Sequence, residues 1–154
     1  MHFGKTIIAA ASAAAVLFTP VSAGAVTSQQ AEQIRKLDIM LMVTSLRCRM
    51  GRDDFQPQYR KFSAAHLTTL NGAAKTLEQG LVKRHGAKGA KRALDRISVG
   101  MANQYGQGHP WLDCGALKDI TTDLAKSTNS ADLTLAADEL LASGPRNGGR
   151  FAAR

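Results

Sequence analysis

The stretch TSQQAEQIRKLDIMLMVTSLRC, residues 27–48, decides the fold. Thr27 followed by Gln30 has the spacing of a capping box, in which each side chain satisfies a backbone N–H of the first helical turn. Ile34, Leu37, Leu41 and Cys48 then recur at helical spacing, and Met40, Val43 and Leu46 widen the apolar surface. Between Leu37 and Leu46 the helix is apolar nearly all round. A helix of that kind lies among other helices rather than on a surface. The expected fold class is therefore all-α: a small single-domain bundle of about five helices, orthogonal or up-down, packed around this first one.

Downstream, Gly51 ends the first helix, Asp53 or Asp54 can cap the next, and Pro57 is tolerated in its first turn. Phe55, Tyr59, Phe62, His66, Leu70, Ala73, Leu77 and Leu81 keep helical spacing, so a second helix is expected to run through them, bent at Asn71-Gly72. Gly86 and Gly89 bracket a turn. A third helix carries Ala90, Leu94, Ile97, Met101 and Tyr105; Ile97, Val99 and Met101 also alternate, but the longer period favours helix. Residues 106–110, Gly-Gln-Gly-His-Pro, form a loop. Cys114, Leu117, Thr121 and Leu124 mark a fourth helix. Ser130 and Asp132 open a fifth, which Gly144-Pro145 stops. The domain is expected to span 26–145, with 146–154 a disordered basic tail.

Upstream, Lys5 precedes the unbroken apolar run 7–18, Pro20 breaks it, and small residues follow to Ala25. This order predicts a secretory signal peptide over 1–25, cleaved after Ala25 or, second, after Ala23. The run would make about 18 Å of helix against a bilayer core of about 30 Å, too short for an anchor. The remaining chain is expected to be periplasmic or extracellular, without a transmembrane span. In an oxidising compartment Cys48 and Cys114 are expected to form a disulfide, which would contribute about 4 kcal/mol by loop closure. The rival reading is a thiolate at Cys48 supported by Arg47, Arg49 and Arg52.

The full chain carries a net charge of +8, unevenly spread. Residues 26–112 hold 14 Lys/Arg against 6 Asp/Glu, and 113–145 hold 2 against 6. Lys88, Arg92 and Arg96 share a helix face at i,i+4 spacing, with Lys83, Arg84 and Lys91 near them and Asp95 the one interrupting acid. They are candidates for weak anion binding, and phosphorylated lipid or envelope glycan suits the compartment better than nucleic acid. A solvated face is the plainer alternative.

Motifs of chemistry are few. His66, His85 and His109 form neither H-x-x-x-H nor H-E-x-x-H, and His66, on an apolar stripe, suits a hydrogen-bonded core histidine. There is no G-x-S-x-G, no Walker loop and no haem-attachment C-x-x-C-H. Gly106-x-Gly108 meets Trp111 where a dinucleotide fingerprint needs its third glycine. No metal ligand set and no cofactor is expected. The segment 103–114 holds the one tryptophan, and Asn103, Gln104, Tyr105, Gln107, His109 and Trp111 are its candidate binding residues. The opposing expectation is a structural plug, with Tyr105 and Trp111 closing the bundle end and His109 capping a helix.

The segments LDIMLMVTSLRCR, 37–49, and MANQYGQGHPWLDC, 101–114, resemble those of small exported helical proteins of sphingomonad-type alphaproteobacteria. Some of these are labelled S-adenosylhomocysteine hydrolase. That enzyme resembles a large cytosolic NAD-binding Rossmann protein, which neither this length nor the leader nor the glycine spacing matches. The resemblance thus implies no catalytic residues. Two classes of function follow. The first is a non-catalytic periplasmic or secreted module that binds an envelope protein, a polyanionic envelope component or an unfolded client. The second is a small envelope-directed hydrolase using Tyr105, His109 and Asp113, for which a concavity holding His109 beside a carboxylate would argue.

Overall fold

The computed structural model describes residues 26–151. The leader expected over 1–25 lies outside them, as do residues 152–154. Five helices and no strand occur among the described residues.

Helix α1, Ser28–Arg47, begins with the capping box: Gln30 N–H donates to Thr27 Oγ1 at 3.2 Å and Thr27 N–H to Gln30 Oε1 at 2.9 Å. It touches each of the other four helices, and Leu37, Met40 and Leu41 are completely buried. Its far end is less enclosed than its composition suggests, since Met42 and Leu46 reach solvent. Thr44 and Ser45 are buried there, and their hydroxyls donate to the carbonyls of Met40 and Met42. Asp38, also buried, accepts from Arg35 Nη1 at 2.9 Å and from Tyr59 Oη at 3.0 Å. Burial, with the Asp38 charge next, holds the Tyr59 phenol far above its ordinary pKa, so it remains a donor.

The expected second helix is divided. Helix α2, Gln56–Ala65, has Pro57 in its first turn, and Asp54 Oδ1 accepts from Gln56 N–H at 2.9 Å. It ends at His66, whose φ of −106° and ψ of 15° leave the helical region. No glycine or proline marks this break. The buried ring of His66 instead donates through Nε2 to the Leu124 carbonyl at 2.7 Å, tying the corner to another helix. A contact distant in sequence sets the boundary. Helix α3, Leu67–Tyr105, then passes through Asn71-Gly72 without a break.

Where a turn between two helices is expected, α3 has a single non-helical residue. Gly86 takes φ 67° and ψ 171°, a conformation open to glycine at little steric cost. The knee divides α3 into arms, 67–85 and 87–105. Gly80 in the first arm lets α1 approach closely, because the Ser28 side chain fills the place a Cβ would take.

Helix α4, Cys114–Lys126, is capped by Asp113, whose Oδ1 accepts from Ala116 N–H at 2.8 Å. Helix α5, Ser130–Leu140, is capped by Asn129, one residue before the expected start. Cys48 and Cys114 are bonded, with their Cα atoms 5.8 Å apart, joining the end of α1 to the start of α4. The thiolate reading of Cys48 is thereby excluded.

The expected disordered tail needs correction as far as Phe151. Residues 146–149 turn back with Gly149 N–H on Arg146 O at 2.9 Å, and Phe151 is buried in the core at 1 % exposure. Glu139, itself buried, accepts the backbone N–H groups of Arg150 at 3.1 Å and Phe151 at 2.9 Å. The domain therefore does not stop at 145. Two hydrogen bonds to a carboxylate and a buried aromatic ring outweigh what the Gly/Arg composition of this segment suggests.

Candidate functional site

The segment 103–114 splits into a buried half and an exposed half. Tyr105 is buried and stacks on the His109 ring at 5.5 Å, and Trp111 meets that ring edge-on at 4.9 Å. His109 Nε2 donates to Leu140 O at 2.8 Å, and Trp111 Nε1 donates to Ala142 O at 3.2 Å. Leu140 is the last residue of α5 and Ala142 lies just past its cap, where intrahelical donors run out. Trp111 N–H approaches His109 Nδ1 at 3.5 Å. Both ring nitrogens are thus engaged, and burial holds the imidazole below its ordinary pKa. Gln107, Asn103 and Gln104 are exposed.

The trio Tyr105, His109 and Asp113 is accordingly committed to structure. A concavity of about 270 Å³ beside the disulfide does hold both His109 and Asp113. Yet His109 caps α5 and Asp113 caps α4, so each already carries a backbone bond. Among the described residues, no group of three or more His, Cys, Asp or Glu is arranged to hold a metal ion.

The basic residues present a different surface. Lys83, Arg84, Lys88, Lys91, Arg92 and Arg96 are all exposed and flank the Gly86 knee on both arms. None of the six has a carboxylate within 4 Å among the described residues, whereas Arg35, Lys36, Arg52 and Arg150 do. The crook of the knee encloses a hollow of about 330 Å³, lined by Val82, Ala87, Ala90 and Leu94 and rimmed by Lys88, Lys91 and Glu78.

A second concavity of about 410 Å³ lies between α1 and the second arm of α3. Ala93, Ile97, Gly100 and Met101 line it together with Lys36, Arg96 and Gln104. It continues into a hollow of about 210 Å³ that reaches Gln33, Tyr105 and Leu141. The structure thus brings Arg96 and Gln104, singled out from separate patterns, into one groove. It leaves Lys88 and Arg92 on the adjoining surface and places His109 and Trp111 elsewhere. Lys36, Gln33 and Gly100 were not among the candidate residues. A glycine inside a regular helical pattern, away from any turn signal, was the one available hint.

No protein-family model, curated protein or solved structure matches this chain.

Proposed function

We propose that the chain is an exported, non-catalytic binding module that docks through the Gly86 knee on a polyanionic envelope surface, with phosphorylated lipid as the favoured partner. The observation that carries this reading is the set of six exposed cations around one corner, without carboxylate partners. A stretch of solvated helix surface more often interleaves both signs, and like charges so placed repel one another unless an anion accepts them. The hollow in the crook adds exposed apolar surface, with Val82 at 41 % exposure, beside Lys88 and Lys91 and with Glu78 as the acid on its rim. Apolar side chains flanked by Lys and Arg suit the headgroup region of an anionic bilayer. No described helix is long and apolar enough to cross a membrane, so contact would be peripheral.

Export is supported by the order of charge, apolar run and small residues before Val26, and by the disulfide, since such bonds persist in oxidising compartments.

The test is co-sedimentation of the purified protein with vesicles of phosphatidylcholine alone and of phosphatidylcholine mixed with phosphatidylglycerol. Binding is expected with the anionic vesicles at low salt and should vanish near 1 M salt, where the Debye length is about 3 Å. Equal binding to both vesicle types, or none at low salt, would overturn the proposal.

A further inference from the structure

We infer that the groove between α1 and the second arm of α3 is a seat for one phosphate-headed, single-chain lipid. Its phosphate would meet Arg96 and Lys36, and its alkyl chain would lie along Ala93, Ile97 and Met101 over Gly100. The inference rests on the lipid-surface reading for the source of its ligand. It deepens that reading by assigning a discrete site.

Three observations carry it. First, the lining has two characters: a row of apolar side chains from one helix and basic or amide groups from both walls. Arg96 is exposed and without a carboxylate partner, and its guanidinium fork matches a phosphate bidentately. Lys36 is shared with Glu32 at 2.7 Å, so it adds to the positive end without dominating it. Second, Gly100 has helical backbone geometry, and nothing lies within 4 Å of where its Cβ would stand. Neither backbone conformation nor close packing requires a glycine here, although a mid-helix glycine is unfavourable. Its missing side chain leaves the groove open at this point. Third, the groove adjoins the cationic face of Lys88, Arg92 and Arg96, so an anionic amphiphile drawn to the knee meets the groove at Arg96.

Submicellar dodecyl phosphate is the probe, followed by amide chemical shifts and by calorimetry on the purified protein. Shifts should centre on Lys36 and on residues 93–104. Inorganic phosphate and uncharged dodecyl maltoside should each bind about tenfold more weakly or worse, since each lacks one half of the recognition. Gly100→Leu should fill the groove and lose about tenfold in affinity. It should fold as well as the wild type, because leucine is the better helix former and meets open space. Arg96→Gln should lose a comparable factor through the phosphate, leaving the thermal midpoint unchanged.

Undiminished dodecyl phosphate binding by Gly100→Leu, or shifts centred on the knee alone, would overturn the site. The two proposals fail separately. Vesicle binding with no dodecyl phosphate binding removes the groove and leaves the knee, whereas loss of vesicle binding removes the docking surface whatever the groove does.

Discussion

Phe151→Ala should cost the domain about 2–4 kcal/mol. A buried phenylalanine truncated to alanine ordinarily costs about 3–5 kcal/mol through lost transfer energy and the cavity left behind. Phe151 is as buried as the other core aromatics. It follows the last helix, however, so the variant can loosen the segment after α5 and recover part of its conformational entropy. Release has its own cost. Glu139 would lose both backbone donors, charge-assisted hydrogen bonds that water replaces only in part. The balance places the loss somewhat below the full core value, still a large part of a domain's typical 5–15 kcal/mol. Urea unfolding followed by far-ultraviolet circular dichroism measures it. The slope with denaturant should fall slightly as well, because a native state with a loose tail has less surface left to expose. A variant within about 0.5 kcal/mol of the wild type, with an unchanged slope, would refute the claim that this segment is part of the core.

Replacing Cys48 and Cys114 together by serine should cost about 2–5 kcal/mol, and a reductant should lower the wild-type thermal midpoint correspondingly. His109→Ala should cost about 2–3 kcal/mol by freeing a helix-terminal carbonyl and opening the aromatic stack, whereas exposed Gln107→Ala should stay within about 0.5 kcal/mol. Burial depresses the His109 pKa in the folded protein, so the unfolded chain takes up that proton first. The stability this ring confers is whole above about pH 6.5 and is lost as pH falls through the folded-state value. Urea midpoints across that window should fall further for the wild type than for His109→Gln. Gly80→Ala should destabilise, because the new Cβ meets the Ser28 side chain, whereas Gly100→Ala should be neutral or stabilising by up to about 1 kcal/mol. Thermal melts of the two variants, compared directly, check the contrast.

Much of the helix content was legible because its signals are local. The Thr27–Gln30 capping box, the period of Leu37 and Leu41, and the start of α4 at Cys114 each depend on residues a few positions apart. The pairing of Cys48 with Cys114 was legible from the number of cysteines and the expected compartment. The break at His66 was not, because Ala65-His66-Leu67 favours helix and only the Leu124 carbonyl, on another helix, makes the corner. The docked tail was obscured by arginines and glycines that read as disorder, while the lone Phe151 depends on Glu139 to place it. In the loop 103–114, the aromatic and histidine content pointed equally to recognition and to packing. The carbonyls of Leu140 and Ala142 decide for packing at His109 and Trp111. The groove was invisible because Lys36 and Arg96 are sixty residues apart in sequence and meet across it only through the packing of α1 on α3.

In the proposed docking mode the position of the knee cations, rather than total charge, sets binding to the anionic surface. Lys88→Glu with Arg92→Glu alters net charge as much as Arg60→Glu with Lys61→Glu, and all four residues are exposed on helices. Partitioning of the two double variants and the wild type onto phosphatidylglycerol-containing vesicles at low salt separates position from total charge. Each basic side chain at an anionic bilayer is worth about 1 kcal/mol, so the knee variant should lose about thirtyfold or more, and the α2 variant about twofold or less. Equal losses in the two variants, or none in the knee variant, would rule out docking through the knee.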